Sequence, residues 1–366
     1  MTLVRYAIPA ALALLAAPAA GQDPLAGLDE AGLYHAACAA CHGADGRGAS
    51  ALQVAFEVEL PDFTDCSFTT REPDADWLAV AHEGGPVRGF DPMMPAFGEA
   101  LSEAQLMLTL AYIRTLCSDP AWPRGELNLP RPLVTEKAYP EDEAVWSGSV
   151  ALGGPGLVEQ ELVYEKRLGA RSQVEVVVPI VMRERTGGGW ISGAGDVVLG
   201  LKHVLLHSLA SGSILSLAGE VKLPTGDEDD GFGAGTAVAE GFIAFGQLLP
   251  SDGFLQLQAI VERPFDTDQA ESETALRMVV GKSFAQGRWG RTWSPMVEVL
   301  GSRALEDGAR VHWDAVPQVQ VTLNTRQHVI GNVGIHLPLG EGDGREPSLL
   351  LYVIWEWFDG GLLDGW

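Results

Sequence analysis

Cys38-Ala39-Ala40-Cys41-His42 brings two thiols and an imidazole within five residues. Two cysteines one helical turn apart can add to the two vinyl groups of a haem, and the next residue, His42, then lies under the iron as proximal ligand. The same thiol spacing serves redox dithiols and zinc sites. A thioredoxin-type pair follows a strand, however, whereas Ala31 to Ala40 is an apolar helical stretch. Zinc would need two further ligands at close spacing, and Cys66 and Cys117 are far off in sequence. The Gly43-Ala44-Asp45-Gly46-Arg47-Gly48 turn that follows lets the backbone pass close to a porphyrin edge. A second run, Met94-Pro95-Ala96-Phe97-Gly98, offers a thioether on a loop, the way a haem iron gains a sixth ligand. Met93 competes with Met94 for that role and His82 is a weaker substitute. Met94 directly precedes the Pro-Ala-Phe-Gly turn and is preferred.

The elements that must position these residues are helices. Ser102 is a plausible N-cap, and Leu106, Leu108, Leu110, Ile113 and Leu116 give the following helix an apolar face. With the cysteine-histidine run near the start, Met94-Pro95-Ala96-Phe97-Gly98 late and this helix last, residues 29–117 resemble a class I c-type cytochrome domain. The resemblance covers about a quarter of the chain. It implies an all-α fold, one haem c attached covalently at Cys38 and Cys41, axial ligation by His42 and Met94, and one-electron transfer. Cys66 and Cys117 depart from the pattern. In an oxidising compartment two leftover thiols in one domain most simply pair as a disulfide. Arg71 and Arg88 are candidates to meet the haem propionates.

The compartment is read from the start of the chain. Residues 1–21 form a signal peptide pattern, with Arg5 basic, Tyr6 to Ala17 apolar, and Ala17-Pro18-Ala19 near the expected cut. Residues 22–117 are then the haem domain. Residues 118–144, with Pro120, Pro123, Pro130, Pro132 and Pro140 and a closing Glu141-Asp142-Glu143, are an acidic linker that cannot be regular helix and reads as an extended spacer.

From Val145 to Trp366 the hydrophobic period changes to two. Leu215 to Leu223 and Gln318 to Asn324 alternate cleanly, and Leu255, Leu257, Ala259 and Val261 face away from Gln256, Gln258 and Glu262. Strands of about ten residues suit a tilted crossing of a bilayer. Compact turns near Gly169-Ala170, Leu209–Gly212, Ser251–Gly253, Gln286–Gly290 and Asn324–Arg326 alternate with longer polar loops, as in outer-membrane barrels. The expected fold is an N-terminal all-α cytochrome c domain followed by an antiparallel β-barrel of about 12 strands in the outer membrane, with the haem domain in the periplasm. Trp190, Trp289, Trp293, Trp355 and Trp357 would supply aromatic girdles, and Glu161, Glu165 and Glu175 must face the lumen. The rival fold is a soluble β-sandwich or soluble barrel.

A net charge of −25 argues against nucleic acid as a partner. An acidic cytochrome face suits a basic soluble redox partner. His203, His207, His312, His328 and His336 are scattered and form no catalytic motif. The expected function is therefore electron carriage. Two alternatives are a fused cytochrome–porin oxidoreductase, for example one acting on ferrous iron, and a narrow outer-membrane pore with a haem sensor.

Overall fold

The computed structural model describes residues 25–54, 60–340, 345–358 and 360–366. The signal peptide expected over 1–21 lies outside them.

The first part of the chain is helical. Helix α1 (Glu30–Ala37) begins at Asp29, whose carboxylate accepts the Gly32 N–H at 2.8 Å, and α2 (Ala39–His42) follows directly. Three short or medium helices come next, α3 (Ala51–Val54), α4 (Cys66–Thr69) and α5 (Asp74–Glu83). The last, α6 (Glu103–Leu116), starts at Ser102 with a reciprocal capping box to Gln105, which satisfies two otherwise orphaned N–H groups. Leu106, Leu110 and Ile113 of α6 are buried against Leu33 and Tyr34 of α1, with Phe63, Leu78 and Leu101 completing the core. Leu108, expected on the same face, points outward and is exposed.

The second part is a closed antiparallel barrel. Its strands are β1 (Glu143–Ala151), β2 (Leu157–Leu168), β3 (Ser172–Glu184), β4 (Val198–Ser208), β5 (Ser213–Lys222), β6 (Val238–Leu249), β7 (Gly253–Pro264), β8 (Glu273–Lys282), β9 (Thr292–Ala304), β10 (His312–Thr322), β11 (Val329–Leu339) and β12 (Ser348–Glu356). Each pairs with its chain neighbour, and β1 closes the ring on β12 through Glu143↔Glu356 to Ala151↔Ser348. Short strands at Trp190–Ala194 and Phe284–Ala285 add to its rims. Closure leaves no open edge, so every strand finds backbone partners on both sides. Along β7, Phe254, Gln256, Gln258 and Ile260 are buried inward while Leu257 and Val261 are exposed outward. No helix among the described residues is long and apolar enough to cross a membrane.

The region expected as a spacer corrects that expectation. It is extended, as its prolines require, but residues 125–142 run into the barrel lumen and return to begin β1. Its backbone groups are satisfied by lumen side chains rather than by water. Glu298, fully buried, accepts from the N–H groups of Leu133, Val134 and Thr135 at 2.8–3.0 Å and from Thr135 Oγ1 at 2.6 Å. Gln256 donates to Pro130 O, Tyr352 Oη to Arg131 O, Arg277 to Val134 O, Lys202 to Lys137 O and Ser216 to Ala138 O. Apolar side chains of this plug become the barrel's core. Leu127, Ala138 and Tyr139 pack with Val204, Ile214 and Phe242; Leu129 packs with Phe254, Val279 and Met296; Leu133 packs with Val145 and Ile354. Gly334 faces the plug, and a Cβ there would lie 2.6 Å from Leu133 Cδ1 and 2.8 Å from Pro317 O of the neighbouring strand, so glycine leaves room for both.

Candidate functional site

The haem-attachment turn is built by backbone bonds that follow from the sequence around it. His42 N–H donates to Cys38 O at 2.9 Å, and Gly48 N–H returns to His42 O at 2.9 Å. Gly43, Gly46 and Gly48 all have positive φ, which a side chain would strain. Tyr34 of α1 donates its hydroxyl to Gly43 O at 2.7 Å and fixes the turn on the core. His42 stacks on Phe63 at 4.7 Å. Its Nδ1 is buried with no hydrogen-bond partner among the described residues. Burial pushes the imidazole down to about 4, so it is neutral at pH 7. Neutral imidazole is the form that ligates a metal. Cys38 and Cys41 are free thiols, and burial, then the neighbouring Cys41, pushes Cys38 up to about 11. Two free thiols beside a half-buried neutral histidine suit covalent attachment of a haem and its proximal ligation.

The methionine loop is held to α5. Gly85 N–H donates to Met94 O at 3.0 Å, Phe97 N–H to Ala81 O at 3.0 Å and Gly98 N–H to His82 O at 2.9 Å. A Cβ on Gly84 or Gly85 would meet Met94 O at 2.9 Å or Met94 Cβ at 3.2 Å, so the two glycines admit the loop. Met94 is half-buried, whereas Met93 is 52% exposed. His82 is engaged elsewhere, 2.8 Å from Glu83 and against Trp289. Leu78 of α5 lies in one core with Leu33 and Tyr34, so a single hydrophobic cluster supports both loops. A disulfide joins Cys66, the first residue of α4, to Cys117 at the end of α6, with Cα atoms 5.2 Å apart.

The helical domain seats on the barrel end that carries the short turns. Arginines of two turns reach it, and that of a third reaches the segment just after it. Arg171 Nε donates to Ala121 O at 3.1 Å, Arg288 pairs with Glu103 at 2.6 Å, and Arg326 donates to Gly89 O at 3.0 Å while covering Phe90. From the other side, Arg88 donates to Trp289 O at 2.7 Å and pairs with Asp76 at 2.7 Å, and Arg71 pairs with Asp142. Both arginines, candidates for the haem propionates, bond across this junction. Trp289, expected in a lipid girdle, is corrected likewise. It packs on the haem-domain core and donates Nε1 to Glu83 at 3.1 Å, because the turn that bears it ends under the domain. Tyr164, stacked on Trp357 at 5.7 Å, marks the outer wall near the same rim.

Residues 31–117 match the family model of cytochrome c. This part of the chain is a cytochrome c domain. The family implies covalently bound haem c, and Cys38, Cys41 and His42 lie inside the matched residues. No curated protein matches the chain. Similar solved structures include an outer membrane channel from Pseudomonas putida F1, with 14% identity and TM-score 0.47 over 62% of this chain and 99% of that one. The NanC porin has 7% identity and TM-score 0.41 over 58% and 98%, and the KdgM porin 8% and 0.38 over 58% and 98%.

Sequence reasoning missed the lumen residues that hold the plug: Glu298, Gln256, Gln258, Gln318, Asn332 and Tyr352. Polar inward positions suit a water-filled lumen equally well. The available signal was Leu127, Leu129, Leu133 and Tyr139, large apolar side chains that a solvated spacer does not need.

Proposed function

We propose that this protein is a monohaem electron-transfer cytochrome fixed to the periplasmic mouth of a plugged outer-membrane barrel. The observation that carries the electron-transfer reading is the pair of free thiols beside a half-buried, neutral His42 in a cytochrome c domain. The haem supplies the one-electron couple of its iron when bound. Cys38 and Cys41 would attach it, His42 and Met94 would ligate its iron, and the α1–α6 core would support the turn that carries His42. Two protein ligands at the iron would leave no site there for a substrate, which favours a carrier over an oxidase.

The outer-membrane reading rests on the barrel wall. Outward positions Leu162, Leu199, Leu217, Ile243, Leu276 and Val333 are large, apolar and exposed, while the residues between them face a packed, polar lumen. A water-facing barrel would not present that band. The short-turn end carries the haem domain, and short turns face the periplasm in such barrels. The plug disfavours a pore, since its side chains and backbone fill the lumen centre. A basic soluble protein is the partner that fits the acidic haem domain.

The test is a redox titration of the purified haem-loaded protein. A reversible one-electron couple is expected, with a potential lowered in Met94→Ala and unchanged in Met93→Ala. A potential unmoved by Met94→Ala contradicts the assigned ligand set.

A further inference from the structure

The barrel grips the two sides of the haem site unequally. Residues 38–48, which carry Cys38, Cys41 and His42, bond only within the haem domain among the described residues. Tyr34 Oη donates to Gly43 O at 2.7 Å, Phe63 N–H donates to Gly46 O at 2.7 Å, and Arg47 pairs with Asp45 and Asp62. The Met94 side differs. The stretch from Ala81 to Phe90 leads into the Met94 loop and supplies its anchors, which are the Ala81 and His82 carbonyls and the Gly85 N–H. In that same stretch His82, Glu83, Arg88, Gly89 and Phe90 each meet a residue of the barrel turns.

Two turns supply these contacts. Trp289, between β8 and β9, places its ring centroid 5.7 Å from that of His82, donates Nε1 to Glu83 at 3.1 Å, and accepts from Arg88 at its carbonyl at 2.7 Å. A Cβ on Gly98 would lie 2.4 Å from the His82 ring, so the imidazole that Trp289 packs on rests directly against the end of the Met94 loop. Arg326, between β10 and β11, donates Nη2 to Gly89 O at 3.0 Å and lies 4.5 Å over the Phe90 ring. Gly365 is wedged between that turn and the haem domain. Its carbonyl accepts from Thr325 N–H at 2.6 Å, and a Cβ on Gly89 would lie 2.6 Å from its Cα. Phe90 N–H in turn donates to Gly85 O at 3.0 Å, so the residue under Arg326 is bonded to the glycine that holds Met94 O.

We propose that Trp289 and Arg326 are positioning residues for Met94, and that the barrel mouth thereby sets how firmly the sixth ligand of the haem iron is held. The inference rests on the reading of Met94 as that ligand. Cys38 and Cys41 would tie the His42 side covalently, whereas the thioether has no such tie. Its hold on the iron is limited by the free energy of moving the loop that carries it. Anchoring the preceding stretch to a closed barrel restricts that motion before the ligand bond forms. Arg326 contributes a charge-assisted hydrogen bond and a cation–π contact, and Trp289 a packed indole with a bonded N–H, so either side chain is large enough to bias the loop.

The test titrates imidazole into the oxidised, haem-loaded full chain in detergent and follows the haem absorbance. Imidazole must displace Met94, so its apparent affinity rises as the hold on Met94 weakens. Affinity about tenfold tighter is expected in Arg326→Ala and in Trp289→Ala, with a smaller gain in Trp289→Phe, which keeps the packing and loses the bond to Glu83. Arg171→Ala cuts a junction bond that lies off the Met94 stretch, and its affinity should match the parent. In Met94→Ala imidazole should bind tighter still, and Arg326→Ala should add nothing to it. Mobility of the unboiled protein on a gel reports that each variant is folded; if Trp289→Ala misfolds, Arg326→Ala and Trp289→Phe decide. Affinity raised in Met94→Ala but unmoved in the folded Arg326 and Trp289 variants overturns the positioning role alone. An Arg326→Ala effect that persists without Met94, or an equal effect in Arg171→Ala, overturns it too. Affinity unmoved in Met94→Ala overturns the ligand assignment and the positioning role together.

Discussion

The haem-attachment turn and the lumen plug solve opposite problems. At the turn, the reactive groups and much of the backbone that shapes them lie within a dozen residues, from Cys38 to Gly48. In the plug, many backbone groups are satisfied by side chains far away in sequence, as when Arg131 O accepts from Tyr352 Oη across 221 residues. A chemical site written into consecutive residues can be read along the chain. A segment held by partners from nine different strands cannot, because those partners converge only after the barrel closes.

The largest effect expected of any substitution separates the two regions outright. Cys38→Ala with Cys41→Ala should remove haem stain from a denaturing gel while the unboiled barrel keeps its fast mobility; loss of both would show that the barrel depends on the haem domain. Next comes Cys66→Ser with Cys117→Ser. The bond closes a separation of 51 residues, so its loss should cost the haem domain about 4 kcal/mol. Its thermal midpoint should fall while the barrel's does not, and equal falls would contradict separate melting. Third is Glu298→Ala, which strands the N–H groups of Val134 and Thr135 and the Thr135 hydroxyl, while Leu133 N–H keeps Gln318 Oε1. A loss of about 3 kcal/mol is expected, and planar-bilayer recordings should show open-channel steps absent from the parent protein. A silent trace would mean that the plug stays seated without its main anchor. The smallest effect is that of Arg288→Ala. Its pair with Glu103 is 50% and 60% exposed, so about 0.5 kcal/mol or less is expected in the same melts.

Legibility followed physical range. The capped helix after Ser102 and the alternation of the strands are local patterns, and the structure carries both, including the closed ring of strands. The five prolines of 118–144 forbade helix but said nothing of what would surround the extended chain. Trp289 failed as a girdle residue for a related reason. Its position at a strand end was readable, but that the turn beneath it would be covered by another domain was not.

The central claim, a haem domain fixed to a membrane barrel, is tested most directly by fractionating cells that express the protein and running each fraction boiled and unboiled on a haem-stained gel. Haem stain in the outer-membrane fraction, in a band that shifts on boiling, is the predicted result. Haem stain in the soluble periplasm, in a band that does not shift, would contradict it.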